Sequence, residues 1–133
     1  MQMNMNRNIC DINDLALKLV ALDFSDDHPP NNGGPTKTSR ALAIIHLAAH
    51  DAYAQVTNML KPKLGSLPPP PPSLAKDDAT GTVAMLSAGL MAAERLYPDF
   101  AEFIAKKAAE WESKYQSRCG CMAAGCKCLD FFS

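Results

Sequence analysis

A chain of 133 residues, 47% hydrophobic and 20% charged, has ordinary globular composition and too many apolar side chains for general disorder. Such a length supports one modest domain that buries roughly two thirds of its unfolded surface, so a core forms without covalent staples. With 13 Lys and Arg against 14 Asp and Glu the net charge is -1, and no basic stripe tracks a phosphate backbone, which argues against nucleic acid as a partner.

The first residues offer no apolar run of signal-peptide length, and no uncharged window reaches the roughly 18 to 20 residues that span a bilayer. A soluble, cytoplasmic protein without a membrane span is expected. Of the five cysteines, four crowd into Cys119 to Cys128, unlike the dispersed framework of a secreted disulfide domain, so reduced thiols or metal thiolates are expected.

In chain order, Ile12, Leu15, Leu19 and Leu22 recur at spacings of three and four and predict a short amphipathic helix over 12–24, with Asp11 or Asn13 as its cap. The stretch 25–35 is crowded with Asp, Asn, Gly and Pro and predicts a loop. Pro35 suits a helical first turn, and Leu42, Ile45, Ala49, Tyr53, Val56 and Leu60 form one apolar stripe, predicting a helix over 35–60 that Pro62 ends. Five consecutive prolines in the segment 64–75 lock φ and remove donors, giving a stiff polyproline spacer. That run also suits an SH3- or WW-type partner, but its nearest basic residues are Lys61, Lys63 and Lys76, so it is read as a spacer.

A third helix is predicted over 77–96, capped by Asp77 or Asp78 and buried through Val83, Leu86, Leu90 and Ala93. Gly81, Gly89 and many alanines on it invite a second helix to approach closely. A fourth over 98–116 carries the strongest amphipathic pattern, with Phe100, Phe103, Ile104, the Lys107 stem, Ala108, Trp111 and Tyr115 on one side. No alternating strand pattern appears. The expected fold is all-α, a bundle of about four helices in two pairs joined by the proline-rich spacer, followed by a Cys-rich tail over 117–133.

Three groups of residues invite a chemical reading. His46 and His50 lie one helical turn apart and can grip a metal if a third ligand is near, but the intervening Leu-Ala-Ala contains no Glu, so this is not a metalloprotease signature. The blander expectation is a packed core His46 and a boundary His50. Cys119-Gly120-Cys121 and Cys126-Lys127-Cys128 are dense soft donors for Zn(II) or Cu(I), although zinc sites place two or more residues between paired cysteines; a free, oxidisable tail is the alternative.

The third group is the segment 34–53, in which Gly34-Pro35, Arg40-Ala41, His46 and Asp51-Ala52 resemble the early helix of many bacterial vanadium-dependent haloperoxidases. The resemblance extends more weakly over about 12–115, through the order of short helix, loop, proline-rich connection and Ala-rich helix before Leu96-Tyr97-Pro98. It implies a helical bundle shared with the type 2 phosphatidic acid phosphatases. It further implies vanadate, held in complete members by a histidine with Lys, Arg and a Ser-Gly-His motif around its oxygens, and peroxide-dependent oxidation of halide. An oxyanion needs several donors converging on one point, with Arg supplying a planar fork.

The family's ligands lie in a Lys followed by Arg-Pro, a Pro-Ser-Gly-His, and a Ser-Arg with His six residues beyond the Arg. Neither Arg-Pro nor Ser-Gly-His occurs in this chain. Ser39-Arg40 and His46 do satisfy the third spacing, so these three are the candidate catalytic residues. On a continuous helix, however, six steps of about 100° turn His46 roughly 240° away from Arg40. The match is therefore read as coincidence, with Arg40 and Asp51 in structural ion pairs or caps. The expectation is an amino-terminal scaffold of a haloperoxidase-like protein, inactive alone and binding no cofactor itself. Its partner would be a separate catalytic half or a second copy, docked through exposed apolar helix faces. The alternatives are a small helical interaction module using Phe100, Ile104, Trp111 and Tyr115, a phosphatase-related member, and a thiolate metal binder.

Overall fold

The computed structural model describes residues 3–25, 28–65 and 69–115, and among them every regular element is helical: α1 (Met3–Asp23), α2 (Pro35–Thr57), α3 (Asp78–Leu96), a single 3-10 turn (Pro98–Phe100) and α4 (Ala101–Tyr115). This is the expected all-α bundle. Its contacts pair α1 with α2 and α3 with α4, and the most extensive interface, α2 against α3, closes the two pairs on each other across the proline segment.

α1 begins nine residues before the predicted start, and its apolar stripe of Ile12, Leu15, Ala16 and Leu19 is fully buried. The periodicity missed the extension because the next position on that stripe is polar: Asn8 is buried and donates from Nδ2 to Thr82 Oγ1 at 3.0 Å, a partner 74 residues away. Asp11 therefore lies inside the helix and does not cap it. Its carboxylate instead meets Lys114 Nζ at 2.8 Å and accepts from the Tyr115 hydroxyl, which fastens α4 to α1.

At the far end of α1 the buried Asp23 organises the 28–34 loop. Its carboxylate accepts from the backbone N–H of Asn31 at 2.7 Å, the Asn31 amide at 2.8 Å and the backbone N–H of Asn32 at 2.8 Å. The Asn32 amide then donates to Leu96 O at 2.7 Å, and Thr38 Oγ1 donates to Asn32 O at 3.0 Å, so one carboxylate links the ends of α1 and α3 to the start of α2. Burial pushes the Asp23 carboxyl up, but the Asn31 and Asn32 donors and the nearby His28 outweigh it and hold the group below the usual 3.8. His28 sits edge-on to Phe100, ring centroids 5.1 Å apart.

Gly34 takes φ 87°, a conformation that suits glycine, and Pro35 follows at the first helical position, where no N–H is needed. α2 stops at Thr57 because Asn58 adopts the left-handed conformation (φ 56°) while its N–H still reaches Ala54 O. The predicted end at residue 60 was three residues late; Met59 and Leu60 are exposed in the turn that follows. Asp77 caps α3, accepting from Thr80 N at 2.8 Å.

Small residues let α2 and α3 approach closely. A Cβ at Gly81 would collide with Thr57 Cγ2 and lie 2.9 Å from Tyr53 Cδ2, whereas one at Gly89 would meet only the tip of Ile12. Leu74, near the end of the proline segment, packs on a second small cluster of Ala52, Val56, Ala84 and Ala88. The apolar side of α4 is not free for a partner, contrary to expectation: Ile104, Trp111 and Tyr115 are buried in the main core, with Phe100 packed beside them. Among the described residues the exposed large apolar ones are Ile9, Leu17, Phe24, Met59, Leu60 and Leu64.

Gly81→Val is expected to lower stability by about 1–3 kcal/mol through overpacking against Tyr53 and Thr57. Gly89→Ala, opposed only by a flexible methyl, should stay within about 1 kcal/mol of the parent. Urea unfolding curves of the two variants check the contrast.

Candidate functional site

The candidate residues of α2 divide between its two ends. Ser39 is exposed and its hydroxyl donates back to Pro35 O at 2.7 Å, a local bond within the first turn. Arg40 is also exposed and forms no ion pair with a described residue, so the structural pairing expected of it is absent. Because α2 runs unbroken from Pro35 to Thr57, nothing bends His46 toward Arg40. The Ser-Arg-His spacing does not bring three groups to one point.

His46 is half-buried at a pocket wall and not packed in the core; its Nδ1 lies 2.8 Å from Leu42 O. A carbonyl oxygen only accepts, so Nδ1 carries the hydrogen and Nε2 of the neutral ring keeps its lone pair. One turn on, His50 is again half-buried, with Nδ1 2.8 Å from Asp51 Oδ1. The same reasoning places the hydrogen on Nδ1 and the lone pair on Nε2.

Asp51 caps no helix end but anchors the chain beyond α2. Its side chain is buried, and it accepts from Lys63 N at 2.8 Å and Leu64 N at 2.6 Å, holding the chain where it turns away from α2. Burial alone would raise its pKa, but the His50 hydrogen bond and the two backbone N–H donors together draw it below the usual 3.8. The carboxylate is thus ionised and saturated with donors. Nearby, Tyr53 donates to Asp78 Oδ1 at 2.7 Å, and burial, that hydrogen bond and the Asp78 charge push its phenol up to about 12.

His46, His50 and Tyr53 border a cavity of about 190 Å³ between α1, α2 and α3. Its walls are Ile9, Ile12, Ala49, Tyr53, Leu60 and Met85, with His46 and His50 as its two imidazoles. Ile9 and Leu60 are exposed, giving the cavity a way out to solvent. No three His, Cys, Asp or Glu side chains gather as a metal-binding group among the described residues. Cys119, Cys121, Cys126 and Cys128 lie outside the described residues.

The spacing of His46 and His50 was legible in the sequence; their membership in one apolar cavity was not, because Ile9, Ile12 and Met85 come from other helices. Nor did periodicity reveal Asp23 and Asp51 as loop anchors, since their partners are backbone N–H groups that any residue supplies. Among the described residues no helix is long and apolar enough to cross a membrane. No family model matches the chain, and no curated protein and no solved structure matches it.

Asp51→Ala leaves the Lys63 and Leu64 N–H groups without their acceptor and should cost about 2–3 kcal/mol. Because the folded Asp51 and Asp23 carboxyls titrate below 3.8, the unfolded chain takes up protons first as the pH falls. Their stabilisation is complete above about pH 5 and drains away below pH 4. Chemical denaturation from pH 7 to pH 2 should show this loss, and Asp51→Ala should flatten it; an unchanged acid limb in that variant would contradict the assignment.

Proposed function

We propose that this chain is a helical scaffold resembling the amino-terminal part of the vanadium-dependent haloperoxidases and related phosphatases, and that it does not hold the oxyanion itself. The likeness of residues 34–53 supports the first part, along with the order of helix, loop, helix, proline segment and Ala-rich helix, now with α2 opening at Gly34-Pro35. The second part rests on one observation: Ser39 and Arg40 face solvent near the start of an unbroken helix, while His46 borders an apolar cavity further along it.

An oxyanion bound by imidazoles alone lacks the cationic and amide donors that offset its desolvation. Among the described residues the buried charged groups, Asp23 and Asp51, are carboxylates, which repel an anion. In complete relatives the reaction is peroxide-driven halide oxidation at vanadate, and the scaffold's contribution is to position helices around a site built elsewhere. The purified chain is expected to leave the vanadium NMR signal of free vanadate unchanged and to brominate no indicator dye with peroxide and bromide. Stoichiometric uptake of vanadate, or bromination, would overturn this reading.

A second reading, a small helical interaction module, is favoured by Leu17 of α1 and Phe24 just past its end, both 51% exposed and seven residues apart; because Phe24 N–H still bonds Val20 O, they lie on one side of the helix. In this reading the same face docks on a second copy or on a separate catalytic half. Sedimentation velocity should then show concentration-dependent association that Leu17→Glu with Phe24→Glu abolishes. A chain that stays monomeric at all concentrations excludes self-docking through this face.

A further inference from the structure

The cavity between α1, α2 and α3 is lined almost wholly by apolar surface, although three of its wall residues, His46, His50 and Tyr53, carry polar groups. Those groups are engaged elsewhere. His46 Nδ1 meets Leu42 O and His50 Nδ1 meets Asp51 Oδ1, each at 2.8 Å, and the Tyr53 hydroxyl donates to Asp78 Oδ1 at 2.7 Å. What the walls offer the cavity is therefore chiefly carbon, and the scaffold reading makes no use of it.

We propose that this cavity binds a compact, uncharged aromatic molecule of one or two rings. Its volume, about 190 Å³, sets the size of the guest. An apolar protein cavity of about 150 Å³ stays dry and accepts benzene, so this one takes a guest of about six to nine non-hydrogen atoms. The lining sets the chemistry. An ion here would lose its hydration without compensation, whereas a neutral ring gives up only its unfavourable contact with water. Three walls carry rings, and these favour an aromatic guest over an aliphatic one of equal size, because rings gain from edge-to-face or offset packing.

Depth distinguishes this site from a docking face. Ile12, Ala49, Tyr53 and Met85 are at most 5% exposed, so whatever touches them has entered the bundle. A partner's helix, about 10 Å across with its side chains, is too wide to follow. Ile9 and Leu60, 45% and 41% exposed, stand at the mouth and give a small guest a path in. The competing occupants are single side chains: Phe131 or Phe132 of this chain, or a ring of a second copy. The site is independent of the haloperoxidase likeness.

The full chain, its methyl groups labelled for NMR, is titrated with toluene. Saturable shifts of the Ile9, Ile12 and Met85 methyl signals are expected, with a Kd between about 10 μM and 1 mM, within reach of so small a ligand. Nuclear Overhauser contacts from the toluene ring protons to the Ile12 and Met85 methyls should place it inside. Benzoate, similar in shape but charged, should bind at least about 10-fold more weakly. Ala49→Leu, which extends a side chain into the cavity, should weaken toluene binding by more than about 10-fold.

Circular dichroism verifies that Ala49→Leu remains helical; should it unfold, the Overhauser contacts and the benzoate comparison decide. The proposal fails if toluene leaves the three signals unmoved, if its contacts map elsewhere, if benzoate binds as tightly, or if folded Ala49→Leu binds as well as its parent. It fails equally if Phe131→Ser with Phe132→Ser shifts the Ile12 and Met85 methyls without toluene, which would give the cavity to the chain's own end. Movement of those signals with protein concentration alone would give it to a second copy and overturn the proposal too.

Discussion

A buried carboxylate that must find donors shapes the cavity end of this molecule. Asp51 sits within α2, out of water, where a charge without partners is too costly to keep. Three N–H groups answer it, two from the backbone at Lys63 and Leu64 and one from the His50 ring. The backbone donors pin the chain as it leaves α2, and the ring donor sets which nitrogen of His50 is free. One charge thereby governs a loop path, a tautomer and one wall of the cavity. Asp23 does comparable work at the opposite end of the bundle, where its acceptor atoms collect the Asn31 and Asn32 donors and tie three helix ends together.

Between these two anchors the bundle is closed by close approach, not by bulk. α2 and α3 meet over alanines and Gly81, with Tyr53 and Thr57 lying against the glycine face. A packing this tight leaves no room between the two helices, so the space that remains opens to the side, where α1 crosses and Ile9 and Ile12 stand off from His46 and His50. The cavity is thus a consequence of small residues in one interface and larger ones in the next. Trp111 and Tyr115 of α4 complete the core from the other side, and the Asp11 contacts to Lys114 and Tyr115 keep that helix in place.

The chemistry available follows from the signs of these groups. Among the described residues the buried charged groups are the Asp23 and Asp51 carboxylates, and the cavity walls are mainly apolar, neither of which suits an anion. Ser39 and Arg40, the residues whose spacing with His46 resembles an oxyanion motif, are exposed near the start of α2.

The sequence by itself determined the helical class, the Pro35 start, a third helix capped by Asp77 or Asp78, and the buried stripes Ile12–Leu19, Ile45–Val56 and Val83–Ala93. These follow from local rules: the period of 3.6, the capping geometry and the fixed φ of proline act within one turn. It misjudged α1 because the stripe continues through Asn8, a polar residue made welcome by Thr82 on another helix. It overran α2 because an apolar residue at 60 continued the stripe after Asn58 had already turned left-handed. Only the tertiary structure decided that the α4 stripe is covered, that Asp23 and Asp51 anchor loops, and that His46, His50 and Met85 share a cavity. Each of these depends on groups far apart along the chain, and which distant atoms meet is fixed by packing, not by spacing.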